Sequence, residues 1–281
     1  VHVLPHGRDT FRRLRLLTKL SSGQSQLPFI VDSVRRGDEV VVLTKWIEGP
    51  TLAEYLRQCR SAKEPWPSPL IVMNLVRGLA GACRLLNERL GVVHGDLHPD
   101  NLILCRHTKR LVPIDFGSAW QIEVTRKKPS GDGAARLYSA PELQRGSGTM
   151  PGMRSDQFSV MSICYELLTG KVPYDGLGGR VVLASEREGQ SIALVAPSDA
   201  LKHAGRLPGK LKACLDEVVC RGLAADPNER YASTSAWLDA LQACSQLLHG
   251  GRETPTTNTA NSWLLRQVEK LDGLWQRKRK S

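Results

Sequence analysis

The feature that most constrains this chain is a pair of polar clusters joined by a short apolar run. The first is His94-Gly95-Asp96-Leu97-His98-Pro99-Asp100-Asn101; the second is Asp115-Phe116-Gly117, whose aspartate comes nineteen residues after Asp96. Leu111-Val112-Pro113-Ile114 leads directly into the second cluster and reads as a strand. A lone aspartate beside glycine is ordinarily a turn residue. Two such loops flanking a strand, one carrying an amide as well, offer more. They hold a carboxylate that can take a hydroxyl proton, and hard oxygen donors of the kind magnesium prefers.

The surrounding pattern places these loops in a mixed chain. Residues 1–4 read as a strand closed by Pro5, and residues 9–20 as a helix with Phe11, Leu14 and Leu17 on one face. Residues 30–34 and 39–46 are rich in Val and Ile and are separated by Arg36-Gly37-Asp38, the pattern of a hairpin. Gly49-Pro50 breaks the chain, and Thr51 can cap a short helix over 52–59. A long apolar periodicity predicts a helix from Pro69 to about Leu90, ended by Gly91. Further helices are expected near 156–169, 211–222 and 234–248. The fold class is therefore α+β, with a small β-rich lobe over 1–49 and a larger, mainly helical lobe over 50–249. A threonine-rich linker is expected over 250–260 and an amphipathic basic helix over 261–281. In that helix Leu264, Val268, Leu271 and Trp275 form one stripe, and Arg277-Lys278-Arg279-Lys280 follows.

Residues 94–101 and 115–117 resemble the catalytic loop and metal-binding triplet of the protein kinase superfamily. Small-molecule phosphotransferases with a kinase-like fold, such as aminoglycoside and choline kinases, share that loop. The downstream sequence separates the two groups. Gly133-Ala134-Ala135-Arg136-Leu137-Tyr138-Ser139-Ala140-Pro141-Glu142 resembles the close of a protein kinase activation segment. Ser155-Asp156-Gln157-Phe158-Ser159, the run from Tyr165 to Tyr174, and Ala225-Asp226-Pro227-Asn228-Glu229-Arg230-Tyr231 resemble the helix and the late arginine motif that follow.

The resemblance implies a bacterial-type serine/threonine protein kinase of two lobes. It would move the γ-phosphate of ATP, with Mg2+, to Ser or Thr hydroxyls of a protein. Asp96 would be the base, and His98 would stand where a γ-phosphate-contacting lysine is usual. Asn101 and Asp115 would hold the metal. Thr44 would sit beside the adenine, and Lys45, Trp46 and Ile47 would form the hinge. Glu142 and Arg230 would pair, and Asp156 would accept hydrogen bonds from the catalytic-loop backbone.

Several positions depart from the family pattern. No glycine-rich loop precedes the first strand, and with Val1 rather than Met at its head the natural N-terminus is expected upstream. His2 aligns with the lysine that grips the α- and β-phosphates, and Leu14 with the glutamate that anchors it. Gly95 replaces the arginine of the common His-Arg-Asp, and Ala135 replaces a threonine. A pseudokinase acting as a binding or scaffold module is therefore the alternative to an enzyme. A small-molecule phosphotransferase is a more remote one.

Net charge is +11, partly from the terminal basic cluster and otherwise spread over helices. That implies no nucleic-acid partner; the C-terminal helix is expected either to pack back on the helical lobe or to make a weak contact, through its basic tail, with a membrane surface or another protein. No uninterrupted apolar run reaches membrane-spanning length. The seven cysteines show no metal or redox spacing and read as reduced thiols of a cytoplasmic protein.

Overall fold

The computed structural model describes residues 2–5, 18, 27–28, 30–37, 39–61, 66–116, 120–121, 137–144, 149–189, 191–202 and 207–250. The strands β1 (His2–Pro5), β2 (Ile30–Arg36) and β3 (Glu39–Thr44) form an antiparallel sheet in the order β1-β3-β2. The predicted hairpin is β2–β3, turning at Gly37 with Val34 opposite Val41 and Ile30 opposite Thr44. The second strand ends at Thr44 rather than Trp46, because Lys45 onward leaves the sheet to cross to the rest of the molecule. The backbone of His2 pairs with that of Val42. The expected helix over 9–20, Leu14 with it, lies outside the described residues except at Thr18; so do the linker expected over 250–260, except Gly250, where the helix from Thr234 ends, and the helix over 261–281.

The crossing is fastened tightly to the helical body. Leu104 N–H donates to Pro50 O at 3.0 Å, and Arg106 N–H donates to Glu48 O at 2.8 Å. Gly49, at φ 148°, passes so close that a Cβ there would lie 2.1 Å from Leu104 O. Only glycine fits both the conformation and the approach. Thr51 caps helix α1 (Leu52–Ser61) as expected. Its hydroxyl accepts from Glu54 N–H at 3.2 Å, while Glu54 Oε2 accepts from Thr51 N–H at 3.0 Å, a reciprocal capping box.

Helix α2 (Pro69–Arg84) continues through one wide π turn, Leu85–Arg89, to Gly91. Its apolar residues recur every three or four positions, and Val72, Leu75, Val76, Leu79 and Cys83 are buried. The stretch Pro69–Arg89 is long and apolar enough to cross a membrane by composition alone. Here it is a core helix, packed against α4 (Met153–Thr169), α7 (Thr234–Gly250) and the strand Leu111–Pro113. Helix α4 is buried from Ser155 to Thr169 and forms the axis of the body. Several of its polar side chains bond within the body: Ser159 donates to Ser155 O, Thr169 to Tyr165 O, and Gln157 Nε2 to Tyr231 O. Trp237 of α7 is fully buried in the same core, with α6 (Gly209–Gly222) alongside.

The short strands β4 (Val92–Val93), β5 (Leu102–Leu104), β6 (Leu111–Pro113) and β7 (Trp120–Gln121) edge this body. The β5–β6 hairpin carries residues 94–101 into its first strand and delivers Asp115 just past its second. Helices α3 (Pro141–Gln144) and α5 (Val181–Glu188) complete the lobe. The architecture is the expected α+β one, a small three-stranded part joined to a helical lobe. All seven cysteines are thiols, five of them buried.

Candidate active site

The loop 94–101 is held from below by one buried carboxylate. Asp156, in the first turn of α4, accepts from His94 N–H at 2.8 Å and Gly95 N–H at 3.0 Å. Burial pushes the Asp156 carboxyl up to about 6, although both N–H donors pull the other way. His94 is wholly buried, and its Nε2 lies 3.1 Å from Ile114 O. A carbonyl can only accept, so Nε2 carries the proton. Burial lowers the His94 pKa to about 4, so the ring is neutral at pH 7. It stacks obliquely on Phe116, 4.9 Å between centroids. Phe116 is buried beside Ala82, Leu86 and Val92.

These ties bring Asp96 and Asn101 together. Asn101 Nδ2 donates to Asp96 O at 3.0 Å and approaches Asp96 Oδ2 at 3.4 Å. The backbone carbonyl of Asp96 can only accept, so the amide nitrogen faces it and the amide oxygen is used in neither bond. Ile114 N–H donates to Asn101 O at 2.8 Å, which couples the loop to the segment entering Asp115. Asp115 adopts a left-handed conformation, φ 60°, and is exposed. Such backbone is uncommon outside glycine but best tolerated by Asp and Asn. The Asp96 side chain is only 11% exposed. Burial first, and then the charge of Asp115, push it up to about 7, against the pull of the Asn101 hydrogen bond. Two carboxylates and an amide thus share one small region.

His98 lies between two acids. Its Nε2 is 3.9 Å from Asp96 Oδ1, and its Nδ1 is 3.6 Å from Asp100 Oδ2, both beyond hydrogen-bond length. Burial lowers its pKa below the ordinary value, opposed by Asp100 and Asp115. Thr44 is half-buried at the end of β3, Lys45 is exposed and Ile47 is half-buried. They line the crossing rather than the loop. The His2 side chain is outside the described part of the molecule.

The Glu142–Arg230 pair forms as anticipated. Two parallel bonds of 2.8 Å join the guanidinium to the carboxylate, and Arg230 also donates to the carbonyls of Ala224, Arg154 and Ala225. The guanidinium lies over Phe158, 5.0 Å from the ring centroid. A second cluster had no sequence signal beyond an acid in the middle of an apolar helix. Buried Glu166 accepts from Tyr138 Oη at 2.6 Å and from Arg60 of α1. Burial raises the Glu166 pKa, opposed by both partners.

Asp156 gives a testable pH dependence. Its folded pKa, near 6, lies above the ordinary carboxylate value, so the folded state holds the proton more tightly than the unfolded one. The stability it contributes is full at acid pH and is lost as pH rises from about 4 to about 6. The stability of the wild type minus that of Asp156→Asn should therefore fall across that window and level off above it. Urea unfolding of both proteins at pH 4, 5, 6 and 7 measures this. A difference that stays flat or rises shows that Asp156 is already ionised in the fold.

The comparisons with known proteins follow this geometry. Residues 7–242 match the model of the protein kinase domain. Among curated proteins, the serine/threonine-protein kinase Pkn1 of Myxococcus xanthus is 31% identical over 62% of this chain and 24% of its own length. The serine/threonine-protein kinase PrkC of Bacillus subtilis is 26% identical over 72% of this chain and 28% of its own. The chain thus spans about a quarter of the length of these relatives. Among solved structures, the kinase domain of Mycobacterium tuberculosis PknI superposes with a TM-score of 0.56. It covers 85% of this chain and 80% of its own at 22% identity, a likeness of fold. With its two-part architecture, its pinned loop and a family match over most of its length, the chain belongs to the protein kinase domain family.

Proposed function

We propose that this chain is a serine/threonine protein kinase that moves the γ-phosphate of ATP to Ser or Thr hydroxyls of a protein. One observation carries the reading. A neutral scaffold has no physical use for a buried carboxylate beside a second one, and here Asp96 is kept in that position by Asn101 and by a loop anchored on Asp156. Curated relatives named as serine/threonine-protein kinases support the acceptor class.

The donor set suits magnesium, since the Asp115 carboxylate and the Asn101 amide oxygen are hard ligands, and the ion ordinarily completes its shell with phosphate and water. When bound there, magnesium would neutralise charge on the transferring phosphate. Asp96 would orient the acceptor hydroxyl and take its proton. Its raised pKa makes it a stronger base than an exposed aspartate. Asp156 would keep the loop shape through the backbone of His94 and Gly95. His94, neutral and bonded to Ile114, would hold the loop against the segment that carries Asp115.

The acceptor class is tested by offering Mg-ATP labelled at the γ-phosphate with casein, kanamycin or choline in parallel. Label is expected on casein, as phosphoserine or phosphothreonine. Label on kanamycin or choline and none on casein would assign the chain to small-molecule phosphotransfer instead.

A further inference from the structure

The carboxylate of Asp96 is held on one side and open on the other. Its Oδ2 faces Asn101 Nδ2 at 3.4 Å. Its Oδ1 is buried and has no hydrogen-bond partner among the described residues. The polar atom that stands toward it is His98 Nε2, 3.9 Å away, on a side chain only 13% exposed. A buried acceptor left without a donor is unfavourable. A carboxylate held through one oxygen can also still turn about its Cβ–Cγ bond.

The backbone fixes where the His98 ring stands. Residue 98 is extended (φ −149°, ψ 167°) and precedes the single turn Pro99–Asn101. Its carbonyl accepts from Asn101 N–H at 3.0 Å, and Asn101 Nδ2 in turn donates to Asp96 O at 3.0 Å. Asp96, His98 and Asn101 are thus linked by backbone bonds that bring both side chains to the same carboxylate. The other acid beside the ring is Asp100, whose Oδ2 lies 3.6 Å from His98 Nδ1. The Asp100 side chain is 70% exposed, so water can serve its oxygens. The buried Asp96 Oδ1 depends on a donor from the protein.

We infer that His98 is a positioning residue for the base: its Nε2–H donates to Asp96 Oδ1 and, with Asn101 on the other side, fixes the carboxylate that takes the acceptor hydroxyl proton. This role rests on the kinase reading above, and it differs from the phosphate contact that the place of His98 in the loop suggests. An N–H at Nε2 is present in one neutral tautomer of the ring and in the imidazolium alike. Closing 3.9 Å to a hydrogen bond takes a movement of about 1 Å. Hydrogen bonds to a catalytic group are commonly long until the substrate is in place. An ionised carboxylate oxygen accepts along more than one direction, so Oδ2 can keep its contact with Asn101 and still receive the hydroxyl proton. Misplacement of a reacting group by about 1 Å can cost roughly a hundredfold in rate.

His98→Leu is the sharp test, because it keeps a side chain of similar size and removes the donor. Extended backbone suits any residue, and the bond from Asn101 N–H to the carbonyl of residue 98 does not depend on the side chain. The measurements are kcat and KM for a degenerate Ser/Thr peptide library, and Kd for Mg-ATP by calorimetry. His98→Leu should lower kcat by about tenfold to a hundredfold, the worth of a hydrogen bond to a charged group, with Kd for Mg-ATP unchanged. His98→Gln, whose amide nitrogen reaches the place of Nε2, should recover most of that loss. In the Asp96→Asn background no base is left to orient, so His98→Leu should there cost less than about twofold. Should His98→Leu fail to fold, His98→Asn takes its place, since its amide is too short to reach Asp96 Oδ1.

An unchanged kcat in the decisive variant overturns the inference, as does a His98→Gln protein no faster than that variant. Weaker Mg-ATP binding, with the same loss of rate in both backgrounds, also overturns it and marks His98 as a phosphate contact. A wild type that transfers phosphate to no peptide or protein is a separate outcome. It overturns the kinase reading and takes this inference with it.

Discussion

Asp96→Asn is expected to lower phosphate transfer by about a hundredfold or more while leaving the protein at least as stable as the wild type. The two halves of this prediction share one cause. Asp96 is nearly buried and faces the charge of Asp115, so its ionised form is unfavourable in the fold. Asparagine has the same shape and removes that charge. Its side-chain oxygen can still accept from Asn101 Nδ2, and the stronger bond from Asn101 to the backbone carbonyl of residue 96 is untouched. What it cannot do is take a proton from a hydroxyl. Strain retained at the expense of stability is expected where function requires it. Thermal melts and initial rates on the same preparations measure both effects. A variant that melts lower yet transfers at the wild-type rate would remove Asp96 from the chemistry.

The second large effect concerns the Glu142–Arg230 pair. The guanidinium has no exposed surface, while the Glu142 side chain is 16% exposed. Glu142→Ala leaves a buried cation facing three carbonyls with no counter-charge. Breaking a buried pair from one side costs about 3–5 kcal/mol. Arg230→Met removes the charge but strands three carbonyls, while Glu142 can regain some water. Both single changes should therefore be strongly destabilising, and the double change should cost less than their sum because it leaves no unpaired charge. Chemical denaturation of the four proteins closes the cycle. Additive losses would mean that the two groups do not act as a pair. Both changes should also loosen residues 137–142, since Glu142 is their last anchor.

How much of this could be read in the sequence follows from the range of the interactions. The helical lobe was legible because burial of α2 imposes a period of three to four on Val72, Leu75, Val76 and Leu79. The loop 94–101 was legible because the chemistry proposed for it needs particular residue types at close spacing, with Asp96 and Asn101 only five positions apart. Helix α5 was not, because Val181–Glu188 is short and has a single apolar cluster at its start. Neither was the link between Arg60, Glu166 and Tyr138, whose members are 106 and 28 positions apart. The close approach of Gly178 to Leu137 O and of Gly179 to Ser139 O has no pattern of its own, since a glycine pair reads as a loop until another backbone is seen resting on it. Two membrane-length arguments also diverge. The helix Pro69–Arg89 passes on composition, and only its packing against α4 and α7 shows why it is apolar.

The central claim is that residues 94–101 and 115 make a magnesium-dependent phosphoryl-transfer site acting on Ser and Thr hydroxyls. The most direct test measures transfer of label from γ-labelled ATP to a Ser/Thr peptide library, with excess magnesium and again with EDTA, for the wild type and Asp96→Asn. The account predicts label on Ser or Thr from the wild type with magnesium, and a loss of about a hundredfold or more on metal removal or in the variant. Folded wild-type protein that binds Mg-ATP but labels no peptide, or labelling that survives both EDTA and Asp96→Asn, would contradict it.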